Sequence, residues 1–291
     1  MSHFIDLTLG GLTIGAAIAA IALSLVLIWR ATRILNFAQG GMALACAYIA
    51  YSVTNHSGSY WLGFAAAIGA GLVGGALIER SLIRLVENKP PLNAVIVTLG
   101  LLVIIQAGLG MIYSVDQHPF VFAFDFHGYK VGHTSLQFSP ASLFAVLSVL
   151  AVAVGLFVVF KYTAVGLRMR SAAFAPEVSR LLGVRTNRML TLGWALSSAV
   201  GALAAMLATP PLISPNALDN LFVFGFTAAV VGGLDSAVGA VVGGVVIGLV
   251  LNYVSGYGTP NLSTGTALGI LIVVLLVRPN GLFTRATARR V

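Results

Sequence analysis

The segment LGGLTIGAAIAAIALSLVLI, residues 9–28, has no charged residue, and its only polar side chains are Thr13 and Ser24. A helix of about 20 residues is roughly 30 Å long, which is the thickness of the hydrocarbon core of a bilayer. The rest of the chain is similar in composition, because 58% of its 291 residues are hydrophobic and only 8% are charged. Such a sequence has too little polar surface to cover a soluble protein, so we expect a membrane protein.

Eight further apolar segments follow the first one along the chain. Together they predict an all-α polytopic membrane protein with about nine spans, within a range of eight to ten, that forms a single domain over residues 1–291. The seventh and eighth segments are poorly separated. The nine segments are residues 9–28, 38–54, 60–79, 92–112, 140–160, 189–208, 221–234, 237–254 and 264–277.

The basic residues predict the orientation of these spans, because Lys and Arg concentrate on the cytoplasmic side of inserted helices. With the N-terminus outside and the C-terminus in the cytoplasm, fifteen of the sixteen basic residues lie inside and only Lys130 lies outside. The net charge of +8 is spread over four inner connections without interleaved aromatic residues. This distribution favours contact with anionic membrane lipid and argues against nucleic acid as a partner.

On the outer side, residues 119–138 predict a small β-hairpin. Phe120, Phe122, Phe124 and Phe126 alternate with other residue types, which is the period of a strand, and Gly128 is the predicted turn. The simpler interpretation is that the apolar side of this hairpin covers helix ends. The alternative is that the polar side of the hairpin docks another protein.

Several kinds of membrane enzyme are excluded. The predicted spans lack the ligand histidines, the Ser and His pair and the two aspartates that intramembrane proteases require. The chain also lacks a G-x-x-x-x-G-K-[ST] phosphate loop. We therefore expect no catalytic residue, metal site or cofactor here, and any ATP and Mg²⁺ must be bound by another chain.

Ion-coupled carriers and channels usually have ionisable groups at membrane depth. The candidates, Glu79 and Asp235, both fall at the inner edge of a predicted helix, which leaves an ion-coupled carrier or channel as a weaker alternative. Asp235 is expected to cap the eighth helix, or else to pair with a basic residue of the inner side.

The most charged segment is KYTAVGLRMRSAAFAPEVSRLLGVRTNRM, residues 161–189. Pro176 suits the first position of a helix, Glu177 complements a helix N-terminus, and Gly183 suits a C-terminal stop. These residues predict a short helix over about 176–182 on the inner side of the membrane.

One face of this short helix is apolar. Val178, Leu181 and Leu182 are spaced to share it, and Arg180 and Arg185 can frame it. The face is suited to enter a groove on another protein, or equally to pack on the chain's own helices or on lipid.

Five segments of the chain are distinctive in their order and spacing. They are ILNFAQGGMALACAYIAY (34–51), AVIVTLGL (94–101), GLRMRSAAFAPEVSRLLGVRTNRM (166–189), AAVVGGLDSAVGAVVGGVVIGLV (228–250) and VRPNGLF (277–283). Together they resemble the LivH-like permeases of branched-chain amino acid ABC importers, and the resemblance covers nearly the whole chain. Glu177 and Gly183 also resemble the cytoplasmic E-A-A-x-x-x-G signature of importer permeases, with Val178 and Ser179 in place of the two alanines.

The resemblance implies a multi-pass permease of the bacterial inner (plasma) membrane that imports branched-chain or similar small amino acids. It implies as partners a second, LivM-like permease, two cytoplasmic ABC ATPase subunits that hydrolyse ATP, and an extracytoplasmic substrate-binding protein. An importer of the same architecture for urea, short amides or small carboxylates is the alternative. The segment of about 161–188 would couple the ATPases to the membrane through Glu177, Val178, Arg180, Leu181, Leu182 and Gly183.

Six residues in or near the apolar segments are candidates for the solute path. Three lie at the start of the second segment, where they either form a structural turn or border the path. The others are expected to form hydrogen bonds to a neighbouring helix, with contact to the solute as the alternative. The six are Asn36, Gln39, Gly40, Thr98, Gln106 and Asn252.

Overall fold

In a computed structural model, which describes residues 2–87, 89–125, 128, 130–131, 134–135, 138–208, 212–278 and 281–283, the chain is mostly helical. Each of the nine predicted apolar segments coincides with one helix. A π-helical segment, Glu79–Ile83, joins α3 and α4 into one continuous helix. The helices are α1 (Ser2–Thr32), α2 (Gln39–Ser57), α3 (Tyr60–Ile78), α4 (Arg84–Val86), α5 (Pro91–Tyr113), α6 (Pro140–Tyr162), α7 (Ala164–Phe174), α8 (Pro176–Leu181), α9 (Thr186–Ala208), α10 (Asp219–Gly232), α11 (Ala237–Tyr257) and α12 (Leu262–Val277).

Within the described residues, six helices have the length and apolar composition needed to cross a membrane. These are α1, the continuous helix of α3 and α4, and α5, α6, α9 and α11. Two further helices, α10 and α12, are apolar but have only 14 and 16 residues. The prediction of a helical membrane protein is confirmed, whereas helix length and hydropathy alone support six spans and not nine.

The core of the molecule is built around α1. Of its most apolar 18-residue window, 83% is buried. Its inner half contributes Ile18, Ile21 and Val26, each with no exposed surface, to a cluster that also includes residues of α2, α9 and α11. A span enclosed in this way contacts protein on every side, which explains why it is apolar around its whole circumference.

The most extensive contact between two helices is that of α1 with α11, and it depends on glycine. A side chain on Gly248 of α11 would overlap the backbone of Gly15, and one on Gly244 would overlap Ala19. Small residues spaced by four let two helix backbones approach within direct contact distance. The glycines of the eighth predicted segment therefore serve close packing, as the sequence indicates.

In contrast, α5 and α12 lie at the periphery. Only 11% of the apolar window of α5 is buried, and Ile104 and Ile112 are 69% and 73% exposed. Leu276 of α12 is 79% exposed. These surfaces are suited to lipid or to another membrane subunit.

The strands are short and belong to connections between helices. β1 (His118–Pro119) pairs antiparallel with β4 (Leu212–Ile213), and β2 (Lys130–Val131) pairs antiparallel with β3 (Thr134–Ser135). The predicted hairpin is thus present but much shorter than expected. Because Val131 pairs with Thr134 and Lys130 with Ser135, the pairing does not centre on Gly128, and the prediction of a turn at Gly128 is wrong.

The predicted alternation of phenylalanines holds in burial but not in backbone structure. Phe120 is buried and Phe122 and Phe124 are partly buried, while Val121 and Ala123 between them are exposed. No strand forms over residues 120–125, because these rings pack on helices instead: the Phe124 ring lies 4.8 Å from that of Phe144 in α6. Phe126 lies outside the described residues.

The turn between α10 and α11 corrects a second expectation. Ser236, and not Asp235, caps α11, because its hydroxyl accepts a hydrogen bond from the Gly239 N–H at 2.9 Å. The Asp235 carboxylate instead pairs with Arg33 at 2.5 Å, which is the alternative left open by the sequence. Arg33 follows α1, so this pair holds together two of the connections that are predicted to be cytoplasmic.

Candidate functional site

The predicted short helix of the charged segment is present as α8. Pro176 takes its first position and Glu177 lies in its first turn. The helix ends at Leu181, and Gly183 then adopts a φ of +81°, a left-handed conformation that glycine reaches without steric cost. The predicted helix and its glycine stop are therefore confirmed.

Two backbone hydrogen bonds hold the end of α8. The Gly183 N–H donates to the Arg180 carbonyl at 3.0 Å, and the Val184 N–H donates to the Ser179 carbonyl at 2.9 Å. This pair of bonds is a Schellman motif, which requires a left-handed residue at the position of Gly183. The direction in which the chain leaves α8 is thus set by this glycine.

The apolar side chains of α8 lie on the surface. Val178, Leu181 and Leu182, which together we call the α8 surface, are 55%, 88% and 78% exposed. Phe174, at the end of α7, is 87% exposed and was not singled out from the sequence. All of the predicted coupling residues are exposed: Glu177, Val178, Arg180, Leu181, Leu182 and Gly183.

Arginine side chains border the α8 surface, one bonded to α9 and three others lining a cavity. Arg180 is tied to the beginning of α9, because its Nε donates a hydrogen bond to the Thr186 hydroxyl at 2.9 Å. Three other arginines line a cavity of about 410 Å³ together with Leu182 and Gly183. They are Arg168, Arg185 and Arg188. The α8 surface therefore has a strongly basic margin.

A buried carboxylate lies near the C-terminal end of the continuous helix of α3 and α4. Glu79 is 1% exposed and accepts a hydrogen bond from Arg84 at 3.0 Å and one from the Thr191 hydroxyl of α9 at 2.6 Å. Arg84 follows Glu79 by five residues, which is the spacing of the backbone hydrogen bonds in a π-helix. The wider turn therefore lets one helix neutralise its own buried charge.

Glu87, directly after α4, is influenced by charges of both the buried cluster and the coupling segment. Burial raises the pKa of the Glu87 carboxyl, and the Glu79 carboxylate raises it further, whereas Arg180 and Arg84 lower this pKa. The two arginines act in this direction because a positive charge favours the ionised form of a carboxyl group.

The first three path candidates are enclosed by protein. Asn36 and Gln39 are 1% and 0% exposed, and the Asn36 amide donates to Gln39 Oε1 at 3.0 Å. The Asn36 Oδ1 accepts from the Ala38 N–H at 3.0 Å, and the Gln39 amide donates to the Ser197 carbonyl of α9 at 3.2 Å. These bonds support the structural turn.

Gly40 provides space between two helices. A Cβ at this position would lie 2.9 Å from Cβ of Phe222 in α10, too close for any side chain. The small residue thus lets α10 pack directly on the start of α2. Direct lining of the path by Asn36, Gln39 and Gly40 stays a prediction.

The other three path candidates differ in their partners. Asn252 of α11 donates to the Leu7 carbonyl of α1 at 2.6 Å, and Gln106 of α5 donates to Asp219 of α10 at 2.8 Å, so both bond to a neighbouring helix as predicted. Thr98 departs from the prediction, because its hydroxyl donates to the Val95 carbonyl within α5. A threonine hydroxyl can return to its own helix in this way, which the sequence alone does not reveal.

Asp219 was missed from the sequence because it precedes the predicted span of 221–234. The structure begins α10 at Asp219, where the carboxylate is exposed. Its partner, Gln106, lies two helical turns, or about 10 Å, from the C-terminal end of α5. The pair is therefore a polar site on an otherwise apolar exposed face.

The sequence of the chain matches a known family of membrane proteins. The family described as branched-chain amino acid transport system / permease component matches residues 7–276. The chain belongs to this family. As a member of this permease family, it is a multi-pass inner-membrane protein and a transport component.

Named relatives of this permease family match almost the whole chain. The high-affinity branched-chain amino acid transport system permease protein LivH of Escherichia coli K12 is 26% identical, over 99% of this chain and 98% of the relative. The corresponding permease protein BraD of Pseudomonas aeruginosa is 25% identical over the same shares. A probable LivH permease of Methanocaldococcus jannaschii is 26% identical, over 94% of this chain and 90% of the relative.

Proposed function

We propose that the chain is the membrane-spanning subunit of an ABC importer that carries branched-chain or similar small amino acids across the bacterial inner membrane. ATP hydrolysis by two partner ATPases drives the transport, and a substrate-binding protein delivers the solute from outside. A second permease completes the translocation path. The names of the relatives and the match to the family support this proposal.

The observation that carries the proposal is the exposed α8 surface. Leu181 and Leu182 are 88% and 78% exposed in a segment that is predicted to lie in the cytoplasm, where water makes such exposure unfavourable. Exposed apolar side chains that are bordered by charged ones mark sites of protein contact. An ATPase groove that receives these side chains would remove them from water and would transmit its movement to α9 through Arg180 and Thr186.

The second permease covers the exposed face of α5 and α10. In the proposed topology the C-terminal end of α10 lies at the inner edge of the hydrocarbon. Asp219, about 21 Å away at the other end of this 14-residue helix, then lies inside the hydrocarbon thickness. An exposed carboxylate at that depth is strongly unfavourable against lipid. It is acceptable on a wet path between two subunits.

The charge of Asp219 also bears on the solute. A carboxylate beside the path attracts the ammonium group of a zwitterionic amino acid, and the Gln106 amide holds that carboxylate in place at 2.8 Å. The same negative charge would repel a small carboxylate that lacks an ammonium group. An amino acid is therefore the solute class that we propose.

The proposed topology has nine spans, with the N-terminus outside and the C-terminus in the cytoplasm. It places Arg168 inside and Gln117 outside, and both side chains are exposed. In a variant with Cys46 replaced by Ala, a cysteine at position 168 should react with an impermeant maleimide only after the inner face is opened. A cysteine at position 117 should react in intact cells. The reverse pattern would contradict the topology.

Reconstitution tests whether this chain needs the partner subunits for transport. In liposomes, this chain alone should not accumulate leucine, because the ATPase sites belong to the partners. With the second permease, both ATPases, the binding protein and ATP, leucine should accumulate. Accumulation by this chain alone in a proton or sodium gradient would instead establish the ion-coupled carrier.

A further inference from the structure

A cavity of about 350 Å³ opens at the inner ends of α1, α6 and α11, beside α7. Three basic side chains line it. Arg30 lies in the last turn of α1, Lys161 lies in the last turn of α6, and Arg170 belongs to α7. Three like charges around one cavity repel each other unless an anion lies between them.

The chain itself supplies little negative charge at this cavity. Among the described residues that line it, Asp235 is the one acidic side chain. That carboxylate is already paired with Arg33 at 2.5 Å, and Arg33 is not part of the lining. The lining therefore carries an excess of positive charge.

Two of the three cations rest on aromatic rings. The Arg30 guanidinium lies 5.1 Å from the centre of the Phe160 ring, and the Lys161 ammonium lies 5.0 Å from that of Phe157. A cation over an aromatic face keeps its hydrogen-bond donors free for another group while its position is restricted. The first turn of α11, which begins next to Ser236 on the same cavity, adds the partial positive charge of a helix N-terminus.

We propose that this cavity binds the phosphate group of an anionic phospholipid from the inner leaflet. Arg30 and Lys161 end two predicted spans, which places them at the level of the headgroups. About one turn of α6 before Phe157, on the same side of the helix, Val154 is 54% exposed and suited to contact an acyl chain. Basic pockets between helices on the cytoplasmic side are known to hold anionic headgroups. A free phosphate ion would make no use of such an apolar contact.

Arg168 of α7 provides a matched control for Arg170 on the same helix. Arg168 and Arg170 are two residues apart on α7, so their side chains differ in direction by about 200°. Arg170 lines the lipid cavity, whereas Arg168 lines the separate cavity beside α8. Both arginines are exposed, so replacement of either one should leave folding intact.

The test measures lipid binding to the purified chain by native mass spectrometry. Phosphatidylglycerol should bind at one tight site, and phosphatidylcholine, whose headgroup has no net charge, should bind at least about tenfold more weakly. Arg170→Gln and Lys161→Gln should each weaken phosphatidylglycerol binding about fivefold, and both changes together should weaken it more than tenfold. Arg168→Gln should leave it unchanged.

Three other outcomes would overturn the proposal. An equal loss in Arg168→Gln would mean that phosphatidylglycerol responds only to the overall charge of the inner surface. Tight binding of inorganic phosphate, with no preference for phosphatidylglycerol, would identify a free-anion site. Displacement of phosphatidylglycerol on addition of the ATPases would assign the cavity to the protein interface.

Discussion

The α8 surface and the pair of Gln106 and Asp219 are opposite in character, yet each is poorly suited to its surroundings. On α8, leucines are exposed where water is expected. On α5 and α10, a carboxylate is exposed at a depth where lipid is expected. In both places the unfavourable exposure disappears if another subunit covers the surface. For a membrane protein, the mismatch between a side chain and its solvent thus indicates a contact better than hydrophobicity does.

The largest effect should come from Leu181→Asp, which tests the α8 half of this comparison. A carboxylate in an apolar interface costs at least about 3 kcal/mol, which corresponds to more than a hundredfold loss of affinity. The variant should reach the membrane normally but lose copurification with the ATPases and lose leucine uptake. Leu181→Met, which stays apolar, should keep both. Full assembly of Leu181→Asp would show that α8 is a passive surface.

Asp219→Leu tests the part of the comparison that concerns the pair of Gln106 and Asp219. It removes the charge from the exposed face, so the isolated chain should be at least as stable in detergent while uptake of leucine by the complete importer falls about tenfold or more. Asn220→Leu, which replaces the next exposed polar residue of α10, should keep most of the uptake. Unchanged uptake in Asp219→Leu would remove this carboxylate from the path.

A smaller effect is expected from Gly183→Val, which sharpens the comparison by changing the shape of α8 and not its chemistry. A side chain in the left-handed conformation costs about 1–2 kcal/mol, so the α8 surface should form less completely. ATPase copurification should fall several-fold, which is less than for Leu181→Asp. Gly183→Asn should be milder, because asparagine tolerates this conformation. Equal loss in the two Gly183 variants would show that the turn is not what matters.

Nine of the described helices were predictable because each one corresponds to an apolar segment of helical length. The run of residues 9–28 and the stop at Gly183 each depend on local chemistry, and both appear where the sequence indicates. The number of spans was less certain. The helices α10 and α12 are shorter than a membrane span, and α2 includes polar residues such as Gln39, whose amide group donates a hydrogen bond to the Ser197 carbonyl of α9.

Contacts between distant residues were the part that the sequence could not supply. The Thr191 hydroxyl bonds to a carboxylate 112 positions earlier, and threonine in a helix gives no sign of this. Asp219 was overlooked because a polar residue before an apolar run normally marks a helix end outside the membrane. The phenylalanines of 120–124 have the period of a strand, but their rings find better contacts on helices than on a second strand.

The glycine contact between α1 and α11 has a mechanical consequence. Where backbone meets backbone, as between Gly15 and Gly248, rotation of either helix would bring larger side chains into a contact that has no room for them, so we expect the two helices to move together. Helices that meet through long side chains can change register by changing rotamers. The opening and closing of a transport path in this chain is therefore expected at the margins, where α5 and its neighbours have such side chains, while α1 and α11 serve as the fixed axis.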